Sequence, residues 1–127
     1  MNILLDTHAA IWFFNGDRNL SEAAKRAILS DENTKHISIA SVWEVAIKTG
    51  LGKLLFKGDV KGFVRLIENN GINILPVSVN HLYELEKLPY IHRDPFDRMI
   101  IATAVAGKMK ILTTDKNIRL YTSDCIW

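Results

Sequence analysis

The stretch Ile3-Leu4-Leu5-Asp6-Thr7-His8 decides the fold. Three consecutive apolar residues closed by an acid suit a short strand that is apolar on both sides. Such a strand has to be covered on both faces, as the strands of parallel sheets are. Reading outward, His8 to Phe14 is rich in Ala, Trp and Phe and ends at the turn signal Asn15-Gly16. Ser21 to Leu29 sets Ala24, Ala27 and Ile28 at helical spacing behind an N-cap serine. His36-Ile37-Ser38-Ile39 alternates as a strand, and Ser41 to Thr49 returns to helical period before Gly50.

The alternation continues to the end of the chain. A basic loop at Leu51 to Gly58 leads to a helix at Val60 to Glu68, carrying Phe63, Val64 and Ile67 on one face. Ile72 to Val77 reads as a strand, interrupted late by Pro76, and Val79 to Leu88 as a helix. Asp94 opens a helix that runs to Ala106 and stops at Gly107-Lys108. Ile111-Leu112-Thr113 is the last core strand, and Cys125-Ile126-Trp127 is expected to add an edge strand. This βαβα order argues for a parallel α/β sandwich. No repeat, low-complexity tract or linker divides residues 1–127, which read as one domain.

Composition narrows the function classes. Hydrophobic residues make up 48% and charged residues 24% of the 127, the balance of a soluble globular domain. A net charge of +2 is far below that of a strongly basic nucleic-acid binder, so any cationic surface must be local. The single cysteine, Cys125, excludes an internal disulfide and reads as a small core residue. With no basic and apolar leader pattern after Met1 and no membrane-length apolar run, a cytoplasmic protein is expected.

Four acids fall at equivalent places. Asp6 follows the first strand, and Glu44 is expected in the first turn of the helix after the second. Asp97 is expected in the first turn of the Asp94 helix, and Asp115 follows the last core strand. In an open parallel sheet these junctions share one edge, where ligands bind. Carboxylates converging there repel one another unless a cation sits among them. Oxygen donors without a Cys or His framework select Mg2+ or Mn2+ rather than zinc. Each acid also has a structural alternative. Ser41-Val42-Trp43-Glu44 matches a capping box. Asp94-Pro95-Phe96-Asp97 matches an N-cap, a Pro at the first helical position and a first-turn acid. Asp115 suits the cap of a short turn over Lys116 to Leu120. Asp6 has little evident backbone role, and Asp97 shares a helix face with Ile100, Ile101 and Ala104.

Four runs in order carry a family resemblance: Leu4-Leu5-Asp6-Thr7-His8; Ser41-Val42-Trp43-Glu44-Val45-Ala46-Ile47-Lys48; His92-Arg93-Asp94-Pro95-Phe96-Asp97-Arg98; and Leu112-Thr113-Thr114-Asp115. Together they resemble a PIN domain, and most closely the VapC-type toxins of bacterial and archaeal toxin–antitoxin pairs. Leu-Gly-Lys-Leu at Leu51 to Leu54 resembles one branch of that family. The resemblance implies a three-layer α/β/α sandwich with a mainly parallel sheet, and a Mg2+- or Mn2+-dependent endoribonuclease. It also implies an RNA substrate, a cognate antitoxin and a homodimer.

The family's acidic quartet carries over onto Asp6, Glu44, Asp97 and Asp115, as catalytic residues and metal ligands. Its hydroxyl neighbour falls on Thr7 or Thr114. Where many members read Thr-Arg-Asn near the last strand, this chain has Thr113-Thr114-Asp115, which leaves Asp124 as a remote substitute for the fourth acid.

Other residues admit two readings. Arg98 contacts phosphate or an acid, or is a helix-surface cation. Lys48, Lys53 and Lys57 suit a phosphate backbone or a solvated face. Thr7 is the remaining substrate-contact candidate. Trp12, Phe13 and Phe14 stack on bases or pack in the core or at a partner contact. His8, His36, His81 and His92 share no metal-ligand spacing, and none is assigned.

A haloacid-dehalogenase-type phosphatase would want Asp where His8 stands, and a P-loop enzyme would want a Gly-rich loop with Lys. A PIN fold that binds without cutting, or one that processes RNA outside a toxin pair, are the nearer rivals.

Overall fold

The computed structural model describes residues 1–53 and 56–127. Five parallel strands lie in the order β3-β2-β1-β4-β5: β1 (Asn2–Leu5), β2 (Thr34–Ser38), β3 (Asn73–Leu75), β4 (Lys110–Leu112) and β5 (Cys125–Ile126). The intervening helices are α1 (Thr7–Asn15), α2 (Glu22–Leu29), α3 (Ile39–Gly50), α4 (Val60–Asn69), α5 (Val79–Lys87), α6 (Pro95–Gly107) and α7 (Lys116–Tyr121). Leu54, the end of the Leu-Gly-Lys-Leu motif, lies outside the described residues.

Strand pleating sends alternate side chains to opposite faces, and β1 uses both. Ile3 and Leu5, with Ile37 and Leu112, pack against Ala10, Ile28, Val45, Phe63 and Ile67 of α1 to α4. Leu4 and Ile111 pack on the other face against Ile100, Ile101 and Ala104 of α6 and Ile118 of α7. Two cores on one sheet make the expected three-layer α/β/α sandwich. Each fully buried Leu or Ile contributes roughly 1.5–3 kcal/mol to it. Trp12, Phe13 and Phe14 are half-buried against the first core, Phe14 edge-on to Phe63 at 5.6 Å between ring centroids.

Topology fixes where a site can form. From β1 the chain moves to β2 and β3 on one side, then returns to β4 and β5 on the other. The strand order thus reverses between β1 and β4, where a crevice opens at the C-terminal strand ends. Register brings those ends level, since Leu5 pairs with Ile37 on one side and with Leu112 on the other. Asp6 and Thr113, the next residues along, are therefore neighbours.

One helix start differs from the sequence expectation. The β2 strand ends at Ser38, whose hydroxyl accepts the Ala40 N–H at 3.0 Å and caps α3. The helix thus begins at Ile39 and not at Ser41, so the Ser41–Glu44 capping box does not form. Glu44 moves into the second turn, where the backbone offers it no amide to accept. Ser38 is completely buried, so its hydroxyl has to find a partner inside the protein, and the Ala40 amide is that partner.

This cap sets the rotational phase of Glu44. Ser38→Ala is expected to cost about 0.5–2 kcal/mol of stability, measured as a fall in the urea midpoint with an unchanged slope.

Candidate active site

Three helices begin at the crevice, and an aspartate caps each. Asp6 Oδ1 accepts the Ala9 N–H of α1 at 2.6 Å. Asp94 Oδ1 accepts the N–H groups of Phe96 and Asp97 of α6 at 2.9 and 3.0 Å. Asp115 Oδ1 accepts those of Asn117 and Ile118 of α7 at 2.7 and 3.2 Å. Each helix end carries a partial positive charge that favours an acid. Asp6 therefore has a backbone role after all, contrary to the sequence reading.

Thr113 ties two of these acids together. Its hydroxyl donates to Asp6 Oδ2 and accepts the Asp115 N–H at 3.0 Å. The hydroxyl that touches Asp6 is thus that of Thr113, whereas Thr114 is exposed. Thr7 is 2% exposed and donates to Ser41 Oγ at 2.9 Å, joining α1 to α3. This substrate-contact candidate is thus buried in a helix–helix contact, with its hydroxyl donated to Ser41.

Glu44 is 3% exposed, and Lys48 on the next turn reaches its Oε2 at 2.5 Å. Its other oxygen, Oε1, is buried with no hydrogen-bond partner. An orphaned carboxylate oxygen in the interior is costly unless something positive meets it. Asp97 lies in the first turn of α6, as expected, and His92 Nε2 stands 2.7 Å from its Oδ2. Ligand atoms of His92, Asp97 and Asp115 all lie within 4.8 Å of one another.

The electrostatics agree with the geometry. Burial pushes the Asp6 carboxyl up to about 6, against the pull of its Thr113 and Ala9 hydrogen bonds, and Asp97 adds to the rise. Burial also raises Asp97, opposed by the His92 hydrogen bond and reinforced by Asp94, Asp115 and Glu44. Lys48 is raised by its Glu44 hydrogen bond, with further contributions from Asp94 and Asp97. Asp97 is thus the centre of the coupling: it acts on Asp6 and is itself acted on by Asp115 and Glu44. The donor set is oxygen-rich, with a single imidazole beside it. It suits a hard divalent cation, and among the described residues the ligand atoms close enough to share one are those of His92, Asp97 and Asp115, with Asp6 and Glu44 outside that group.

Two sequence candidates lie elsewhere. Arg98 is 6% exposed and spends its guanidinium on the interior, donating to Pro89 O at 2.9 Å and the Tyr121 hydroxyl at 3.1 Å. It is neither a phosphate contact nor a surface cation, because its helix face turns towards α5 and α7. Asp124 precedes β5, and its carbonyl accepts the Ile111 N–H at 2.8 Å. That places it at the N-terminal strand ends, the opposite edge from Asp6, so it is no substitute for Asp115. Cys125 is half-buried against the second core.

His92 was the residue that sequence reasoning missed. No ligand spacing marks it, because the loop before Asp94 folds it back onto Asp97.

A PIN-domain family model matches residues 3–122, and the chain belongs to the PIN-domain family, a family of nucleases. Several solved structures share its fold. A VapBC2 complex from Rickettsia felis, bound to a promoter DNA fragment, aligns with a TM-score of 0.70 at 16% identity, covering 95% of this chain and 93% of that one. A toxin–antitoxin complex from Klebsiella pneumoniae aligns with a TM-score of 0.65 at 18% identity, covering 98% and 96%. VapBC-1 from nontypeable Haemophilus influenzae aligns with a TM-score of 0.67 at 17% identity, covering 98% and 95%. No curated protein matches the sequence.

The raised Asp6 has a measurable consequence. A carboxyl whose folded value, about 6, exceeds its ordinary 3.8 favours the folded state when protonated. That stabilisation is complete below about pH 4 and is lost as the pH rises through about 6, a swing of about 3 kcal/mol. Chelator-treated protein is expected to show this loss between about pH 4 and about pH 6.5, and Asp6→Asn to flatten it. Since cations compete with protons for the acids, added Mn2+ should raise Tm more near pH 7.5 than near about pH 5. Denaturant melts across that range with chelator or Mn2+ check both statements.

Proposed function

We propose that this chain is a Mg2+- or Mn2+-dependent endoribonuclease that hydrolyses RNA phosphodiester bonds, and that it is the toxin of a toxin–antitoxin pair. The observation that carries the nuclease reading is the cluster of ligand atoms from His92, Asp97 and Asp115, with the buried, unpartnered Glu44 Oε1 on a carboxylate that acts on Asp97. Membership of a nuclease family supports it. The toxin reading draws on structures of similar fold, which are toxin–antitoxin complexes by description.

In this reading Asp6 and Asp97 are the main metal ligands, and Asp115 binds through its uncapped oxygen or through water. When bound, a divalent cation would supply charge neutralisation at the phosphate and a water of lowered pKa. Glu44 Oε1 orients that water and accepts its proton, while Lys48 holds the Glu44 carboxylate from the other side and faces the phosphate backbone. Hydrolysis joins the water oxygen to phosphorus and breaks the bond to the 3′ oxygen, which leaves with a proton taken from solvent. Lys53 and Lys57 are exposed and add to the same cationic approach.

The partners proposed are a cognate antitoxin and a second copy of the chain. A groove of about 540 Å³ runs between α3, α5 and α6, lined by Trp43, Leu85, Phe96 and Met99. Trp43 is 62% exposed on its edge, packed edge-on to Phe96 at 5.3 Å between ring centroids. Apolar surface of this kind is normally covered by a partner. Among the described residues no helix is long and apolar enough to cross a membrane, and the cytoplasm is the proposed location.

The deciding experiment is cleavage of a structured RNA with Mn2+ or Mg2+, with and without chelator. Chelator is expected to abolish cutting. Asp6→Asn and Asp97→Asn should each lower the rate about 100-fold or more, the kinetic equivalent of losing several kcal/mol of charge stabilisation. Cutting that survives both substitutions would overturn this active site. Binding without cutting in the wild type would leave an RNA-binding module.

A further inference from the structure

We infer that His92 is a positioning residue for the site, and that a latch formed by the buried Arg98 and the half-buried Tyr121 holds it there. The inference rests on the reading of Asp97 as a metal ligand and assigns a role to three residues outside the acidic quartet.

The contact itself is direct. His92 Nε2 lies 2.7 Å from Asp97 Oδ2, in a half-buried pocket where both side chains are about one-fifth exposed (19% and 20%). An ionised carboxylate only accepts, so Nε2 carries the proton and donates it. The donation fixes one Asp97 oxygen and leaves Oδ1 outside that contact. A ligand carboxylate oriented by a neighbouring donor keeps its lone pairs aimed without rotating on each binding event.

A histidine on a loop is useful for this only if the loop is fixed, and here the fixing is unusually complete. The Tyr121 hydroxyl accepts the N–H groups of Ile91 and His92 at 3.0 and 2.8 Å, and donates to Pro89 O at 2.7 Å. Arg98 donates to Pro89 O and to the same Tyr121 hydroxyl, and more weakly to the carbonyls of Leu85 and Leu88 at 3.4 Å each. Its guanidinium also stacks under the Tyr90 ring, 4.2 Å from the centroid. The loop from Leu88 to His92 is thereby clamped to α6 through Arg98 and to α7 through Tyr121. Those two helices begin beside Asp97 and at Asp115. The latch thus locks His92 to the frame that carries the acids it serves.

The test measures metal binding, by calorimetry with Mn2+ and with Mg2+ on the intact chain, beside the melting temperature of the chelated protein. His92→Ala is expected to weaken both metals alike, by about 10–100-fold. His92→Gln, which keeps an N–H donor, should recover most of the loss. Tyr121→Phe keeps the ring and removes the hydroxyl, and should weaken both metals several-fold through the loop while the chelated protein stays folded. Unchanged affinity in His92→Ala would overturn the inference. So would a loss confined to Mn2+, which would make the imidazole a direct nitrogen ligand. If Tyr121→Phe fails to fold, the His92 pair still decides the matter. Wild-type protein that binds metal through this network but cuts no RNA would defeat the nuclease reading and leave this inference standing.

Discussion

Negative charge gathered at one edge of the sheet is the constraint that shapes this protein. Parallel strands all end on the same side, so the helices that follow them begin on that side too. Asp6 and Asp115 cap two of those helices, Asp94 caps α6, which follows α5, and Asp97 lies in the first turn of α6. The partial positive charges of the helix ends offset part of the repulsion. Lys48 and His92 offset more of it from the flanks. Burial pushes Asp6 and Asp97 up, the neighbouring acids add to that push, and one Glu44 oxygen stays unpartnered. In the proposed reading a cation completes the arrangement.

Capping and ligation therefore do not compete here. A carboxylate has two oxygens and several lone pairs, so one oxygen can satisfy a helix end while the other faces the crevice. Asp115 shows the division most clearly, because its Oδ1 alone accepts both amides of α7. Glu44 shows the opposite case. It has no capping role, and the energetic cost of its burial is explained only by what it faces.

The polar interior is as deliberate as the acidic edge. Arg98 would be expensive to bury without partners, since each lost hydrogen bond to a buried charged group costs about 1.5–3 kcal/mol. It meets carbonyls from the loop after α5 and the Tyr121 hydroxyl from α7. The run Asp94-Pro95-Phe96-Asp97-Arg98 thus combines a cap, the proposed ligand Asp97 and a structural clamp within five residues. Its residue types give no hint that Arg98 points inward, because burial of a cation depends on carbonyls supplied from distant segments.

The sequence alone determined the parallel α/β plan, because Ile3-Leu4-Leu5 is apolar on both faces and such a strand needs two layers of cover. It also determined that Asp6, Asp97 and Asp115 sit at strand or helix junctions, since N-cap and turn chemistry is local. Tertiary structure decided the rest. The pairing of Leu5 with Leu112 put the Thr113 hydroxyl on Asp6, a choice made by register between strands more than a hundred residues apart. The cap at Ser38 moved Glu44 out of the first turn, because a buried hydroxyl took the nearest free amide. The latch on the loop before Asp94 brought His92 to Asp97. No spacing rule encodes that contact, because its geometry is set by Arg98 and Tyr121 on two other helices.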